Sequence, residues 1–183
     1  NFVFRYADSG KKSVTHLSVT NMQAKTRTGV VKLAFEIDDL LAPNVAANIG
    51  FNVQLEELLT IARPGLLKEA RGSVSGTMSY KQRFASWDDL QEQAFLAPQI
   101  SGDLAMQHGE MTFMNSNIKL REISAEVNLR NRDLVIERLF LREGESEFLL
   151  DGWFYNALYF GANRPVPMLS IRLQSNFVDL NRI

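Results

Sequence analysis

Asn44-Val45-Ala46-Ala47-Asn48-Ile49-Gly50-Phe51-Asn52-Val53-Gln54 alternates with a period of two. Val45, Ala47, Ile49, Phe51 and Val53 fall on one side; Asn44, Ala46, Asn48, Gly50, Asn52 and Gln54 fall on the other. Successive side chains of an extended strand point to opposite faces. The stretch therefore predicts a strand with one apolar face and one wet face. The same alternation recurs upstream in Phe2, Phe4 and Tyr6, in Leu17 and Val19, and in Val31, Leu33, Phe35 and Ile37. Downstream it runs through Val74 to Tyr80, Leu104 and Met106, Met111 and Phe113, and Ile123, Ala125, Val127 and Leu129. It continues in Leu134 and Ile136, in Phe148, Leu150, Gly152 and Phe154, and in Leu169, Ile171 and Leu173. Between Ile136 and Leu139 the phase slips by one residue, which predicts a β-bulge.

Turn chemistry separates these stretches. Asp8-Ser9-Gly10-Lys11, His108-Gly109, Asn131-Arg132-Asp133 and Glu143-Gly144-Glu145 combine side chains that bond back to the chain with glycines that accept positive φ. Connections this short join antiparallel strands, because parallel strands need crossovers of about a dozen residues or more. The period changes at Leu55. Leu55, Leu58, Leu59 and Ala62 make one stripe of a short helix, ended by Pro64-Gly65. Leu66 to Ala70 is expected to add one further turn before Gly72. Ser86-Trp87-Asp88-Asp89 resembles a capping box, and Trp87, Leu90 and Ala94 give a second short helix that Pro98 stops.

The fold class expected is mainly β. It is an antiparallel, strongly curved sheet, in the form of a groove, half-barrel or sandwich, with two short helices. Residues 1–183 are read as a single β-rich domain or a fragment of a repeat array, with possible sub-units 1–72 and 100–183 joined by a helical connector over 73–99. Two internal echoes support a repeated unit. In one, Pro43, an alternating strand and the Val53-to-Leu58 segment echo Pro167, an alternating strand and the Phe177-to-Ile183 segment. In the other, Val74-Ser75-Gly76-Thr77-Met78 echoes Ile100-Ser101-Gly102-Asp103-Leu104. The competing explanation is two sheets of one sandwich.

Composition narrows the function. Twenty basic and 21 acidic residues leave a net charge of -1, so no nucleic-acid partner is expected. Cysteine is absent, so there is no disulfide and no thiolate metal site. No stretch reaches the ~20 apolar residues of a membrane-spanning helix. The chain begins at Asn1 without a signal segment, and is expected to be a piece of a longer parent that carries targeting or anchoring elsewhere.

Chemistry-bearing patterns are few. His16 is expected on the polar side of a strand and His108 in a turn, neither with a catalytic partner at a recognisable spacing. Gly72-Ser73-Val74-Ser75-Gly76 lacks the G-x-S-x-G order of a nucleophile elbow. Asp38-Asp39 reads as a turn and Asp88-Asp89 as a helix first turn, neither in a Ca²⁺ loop pattern. Trp153-Phe154-Tyr155 with Tyr159-Phe160 reads as core and rim of a strand, or as an aromatic lip for lipid or a partner. Arg5, Lys32, Arg130 and Arg172 fall on polar strand faces. No catalytic residue, metal site or cofactor is expected.

One run carries a resemblance. It comprises Ile100-Ser101-Gly102-Asp103-Leu104-Ala105-Met106, Ile118 to Val127, Leu134-Val135-Ile136, Phe148-Leu149-Leu150-Asp151-Gly152, and the closing Val178-Asp179-Leu180-Asn181-Arg182-Ile183. It resembles the C-terminal region of the AsmA-like family of bacterial envelope proteins, covering the last half of the chain well and the first third loosely. Gln54 departs from the family's closing pattern, where Asp is usual. The resemblance implies a periplasmic module of an inner-membrane-anchored parent, similar to bridge-like lipid-transfer proteins of outer-membrane biogenesis. It carries over no catalytic residue.

Two short helices cover only part of the apolar side of a sheet of roughly ten strands. The remainder folds over into a sandwich or barrel, or lines a cavity. The first expectation is therefore a non-enzymatic module that binds or guides phospholipid or other acyl lipid along Val45, Ile49, Phe51, Val127, Leu129, Phe148, Leu150, Ile171 and Leu173. The alternative is a structural or protein-interaction β module with a closed core, an open edge of which pairs with neighbouring repeats of the parent chain. Under either reading Ile49→Asp and Ile171→Asp put a charge on the apolar side and lower the melting temperature. A melting temperature unchanged by both contradicts the assignment of that side.

Overall fold

The alternating segments build one sheet. A computed structural model describes residues 2–8, 13–62, 67–86, 88, 99–114, 118–159 and 166–177. The strands are β1 (Phe2–Asp8), β2 (Ser13–Lys25), β3 (Val30–Asp38), β4 (Asn44–Gln54), β5 (Leu67–Arg83), β6 (Gln99–Phe113), β7 (Lys119–Arg130), β8 (Asp133–Glu143), β9 (Ser146–Tyr155) and β10 (Met168–Phe177). Helix α1 (Leu55–Ala62) follows β4, and a 3-10 turn covers Ala157–Tyr159. The ten strands lie side by side in chain order, each antiparallel to the next. β1 and β10 are the two edges, and the sheet does not close into a barrel.

Partners in register share a face, so the register assigns every side chain. From β2 to β5 one face carries Leu17↔Ile37, Val19↔Phe35, Leu33↔Ile49, Val31↔Phe51, Ile49↔Met78 and Val53↔Val74. From β6 to β10 it carries Leu104↔Val127, Val127↔Ile136, Leu139↔Leu150, Leu141↔Phe148, Leu150↔Leu173 and Gly152↔Ile171. The other face carries Glu36↔Ala46, Asn48↔Ser79, Thr77↔Asp103, Asp103↔Asn128, Glu126↔Arg138 and Asp151↔Arg172. One side of the sheet is thus apolar from edge to edge, and the other is largely polar apart from Val135, Phe140, Leu149 and Trp153 on β8 and β9.

Bulges bend it. The expected phase slip at Ile136/Leu139 is a register shift between β8 and β9. Others break β2–β3 at Val19/Met22, β5–β6 at Arg71/Ser73, and β6–β7 around Gly109. Three of these lie on adjacent strands. Gly72 at φ 122 faces Gly109, His108 has φ 53, and Glu122 on β7 has φ 51. A Cβ on Gly72 would meet the Gly109 Cα at 2.8 Å. Aligned bulges add twist and crease the sheet at that level, giving the curvature expected of it.

Several sequence expectations are corrected. The two-sheet sandwich is replaced by a single sheet. The second echo has a local cause: its two copies are neighbours in β5 and β6, with Gly76 opposite Leu104 and Met78 opposite Gly102. Gly76 makes room for the Leu104 side chain, and Gly102 for the close approach of the Thr77–Met78 backbone. A Cβ on Gly76 would come within 2.6 Å of Leu104 Cδ2. The helical connector over 73–99 begins as strand, because residues 73–83 belong to β5 and pair with both β4 and β6. The sheet therefore runs unbroken from 1–72 into 100–183. The turn expected at Leu66 to Ala70 is the start of β5, since Ala70 pairs with Met111. His108-Gly109 is a bulge inside β6 rather than a turn, because its positive φ is absorbed without reversing the chain. The second helix from Trp87, the Asp8-to-Lys11 turn centre and the closing Val178-to-Ile183 segment lie outside the described residues.

Burial is thin. Fully buried apolar side chains gather at two ends of the sheet: Val53, Leu55, Ala70 and Val74 near α1, and Phe84 with Ile100 at the other. A compact chain of 20.7 kDa exposes about 8,900 Å² by the usual size scaling. This one exposes 12853 Å². Among the described residues only α1 packs on the apolar face, in keeping with that excess. The two aspartate variants then differ in cost. Ile49 is half-buried between Leu33 and Met78, whereas Ile171 on the edge strand is 43% exposed. Chemical denaturation should show Ile49→Asp losing about 2–4 kcal/mol and Ile171→Asp less than about 1. Equal losses would contradict this placement.

Candidate functional site

The nine side chains singled out in the sequence all fall on the apolar face. Val45, Ile49 and Phe51 stand on β4, Val127 and Leu129 on β7, Phe148 and Leu150 on β9, and Ile171 and Leu173 on β10. Register joins them into one field through the partners on β3, β5, β6 and β8. At 4.7–4.9 Å per strand and about 3.4 Å per residue, ten strands and an eleven-residue β4 give a field about 43 Å across and 34 Å long. Leu129 is buried at 6%, the β4 side chains are half-buried, and Ile171 and Leu173 are 43% and 56% exposed. Phe4 on the opposite edge is 55% exposed. The face is therefore accessible, and most so at its two edges.

Helix α1 covers one end of it. Eight residues are too few for a stable helix alone, so α1 depends on docking. Leu55 enters a cluster with Ala70 and Val74, against which Phe51, Leu58, Leu67, Met106 and Met111 pack. A polar latch holds the other side. Glu57 of α1 accepts from Thr26 Oγ1 at 2.9 Å, from the Arg27 amide at 3.1 Å and from the Thr28 amide at 3.0 Å. The Thr28 hydroxyl also donates to it. That hydroxyl accepts from the Gln54 amide at 3.0 Å, tying the strand-to-helix junction into the same network. Within the loop, the Thr26 amide donates to Gly29 O at 3.0 Å. Between α1 and the sheet lies a cavity of about 170 Å³ lined by Val31, Ile49, Phe51, Val53 and Leu58, with Thr26 and Glu57 at its polar side.

The polar face is built differently. His16 Nδ1 lies 2.6 Å from Asp38 Oδ1 on the next strand, a partner that sequence spacing did not reveal because it is 22 residues away. Asp39 accepts from the Leu41 and Ala42 amides at 3.1 and 3.3 Å, making the expected turn. Arg142 bridges Glu122 at 2.7 Å and also Glu147. Trp153 and Tyr155 stack with ring centres 5.7 Å apart, and the Arg130 guanidinium sits 5.9 Å above the Trp153 ring. Arg130 is thus engaged rather than merely solvated, while Phe154 turns to the apolar face beside Leu134 and Leu169. A broad depression of about 910 Å³ runs across β3 to β7, lined by Lys32, Asn52, Ser75, Thr77, Asp103 and Glu126 together with Phe51, Leu104 and Val127 of the apolar field.

Ser73 lies within β5, its hydroxyl donating to Gln107 O at 3.4 Å. Among the described residues, no group of three His, Asp or Glu side chains converges on a metal-sized point. No helix among them is long and apolar enough to cross a membrane. No family model, curated protein or solved structure matches the chain.

The latch makes a pH-dependent prediction. Hydrogen bonds to the Glu57 carboxylate, the Thr28 hydroxyl first, outweigh the opposing effect of desolvation and hold its pKa below the ordinary 4.5. A depressed folded-state pKa means the latch stabilises fully above the unfolded value and is lost as pH falls through the folded one. In NMR titrations the Arg27 and Thr28 amide shifts should move with a midpoint below 4.5. Glu57→Gln should abolish that transition. A midpoint at or above 4.5 contradicts the latch.

Proposed function

We propose that this chain is a non-enzymatic module that binds or guides acyl chains of phospholipid or a similar lipid along its apolar face. The observation that carries this is the edge-to-edge apolar field left accessible on a single curved sheet. Contiguous apolar patches above about 600 Å² are uncommon on monomers and mark interaction sites. A field of these dimensions is on the order of 1,000 Å². Each Å² of alkyl surface removed from water on it contributes ~25 cal/mol. One leaflet's acyl chain spans about 15 Å, so it fits along β4 with room to spare. The AsmA-like resemblance of the last half fits the same role: a periplasmic module of an inner-membrane-anchored parent, working in outer-membrane biogenesis.

A second reading has its own support. β10 is an edge strand with Met168, Leu169 and Leu173 more than half exposed, a surface suited to pairing with a neighbouring repeat of the parent chain. Under that reading the sheet extends through its edge and the module is structural. The two differ in what the purified chain carries. Lipid extraction and native mass spectrometry of protein purified from a lipid-containing source should recover phospholipid near one equivalent or more. Protein that is folded, monodisperse and free of extractable lipid would overturn the acyl-binding reading and favour the structural one.

A further inference from the structure

The cavity beneath α1 has the chemistry of a chain-end pocket. Its walls are the apolar side chains Val31, Ile49, Phe51, Val53 and Leu58. The two polar residues that border it, Thr26 and Glu57, bond to each other at 2.9 Å. Glu57 is further occupied by the Arg27 and Thr28 amides. These groups are turned to one another rather than to a guest, and a buried water needs two to four polar partners to be held. Such a lining offers a water few partners, and an enclosed cavity of about 150 Å³ with apolar walls binds small apolar guests in another protein. At roughly 30 Å³ for a water-sized group, 170 Å³ takes about five or six methyl and methylene groups. Its walls are continuous with the open field, because Val31, Ile49 and Phe51 belong to both.

We infer that this cavity receives the methyl end of a linear alkyl chain whose remainder lies along the apolar face. α1 then acts as an end stop, and the polar end of the chain points away from the helix toward the uncovered field. The inference rests on the acyl-binding reading and adds to it a terminus and a direction.

The test compares two photoreactive palmitate isomers on the intact chain. One carries a diazirine near its methyl end and the other near its carboxylate. The methyl-end probe should label the Val53-to-Leu58 peptide, and the carboxylate-end probe should label the uncovered field away from the helix, toward the Asn44 end of β4 and its neighbours β3 and β5. Val31→Phe, which fills the cavity from a half-buried wall, should lower methyl-end labelling of that peptide about tenfold, the worth of roughly two buried methylenes. Labelling by the carboxylate-end probe should persist. Identical patterns from the two probes on the unmodified chain would overturn the pocket while leaving acyl binding in place, and this comparison does not depend on the variant's folding. Undiminished methyl-end labelling in folded Val31→Phe would overturn it as well. Absence of labelling by either probe anywhere on the apolar face would overturn the pocket and the acyl-binding reading together.

Discussion

One constraint governs this molecule: an antiparallel sheet with a fully apolar side must have that side shielded from water. Most β domains meet it by folding a second sheet or a layer of helices over the first. Here the strands follow one another in a simple meander, each beside its chain neighbour, and the edges β1 and β10 remain apart. Between the bulges, backbone groups of neighbouring strands pair across the sheet from β1 to β10. The hydrophobic demand persists, since the buried residues collect at the ends and the middle is half-buried. The proposed acyl occupant would satisfy it by removing that surface from water.

Helix α1 shows how the sheet manages one end. It is too short to fold by itself, and it is held from below by the Leu55, Ala70 and Val74 cluster and from the side by Glu57. Between these two attachments lies the cavity beside Val53 and Leu58. The bulges at Gly72, His108–Gly109 and Glu122 lie across adjacent strands. They curve the sheet in the region where β5 supports α1.

Much of this was legible in the residues, because a two-residue period is written at the scale of single side chains. All nine positions chosen from alternation alone share one face, and the slip at Ile136/Leu139 is a real break in register. The misreadings have physical causes. His108-Gly109 has the composition of a turn, and only its pairing partners on β5 and β7 reveal that the strand continues through it. The division that starts a connector at residue 73 conflicts with the alternation of Val74 to Tyr80, and the pairing of that stretch with both β4 and β6 resolves it as strand, with Gly76 set against the Leu104 and Phe51 side chains. The Glu57 latch spans 29 to 31 residues and the His16–Asp38 pair spans 22, distances over which sequence spacing carries no signal. The choice between closed core and open lining was illegible for a deeper reason. Both are written in the same valines, leucines and phenylalanines, and only the absence of a second sheet separates them.

The central claim is that this face is open in the lipid-free protein and covered when an acyl lipid is present. Hydroxyl-radical footprinting, with and without phospholipid vesicles, measures that side chain by side chain. Leu33, Ile49, Val127, Leu139 and Leu150 should be oxidised in the lipid-free protein and protected once lipid is added. Phe140 and Leu149, which pair on the opposite face, should be unchanged. Protection of the first group already present without lipid, or equal protection on both faces with it, would contradict the claim.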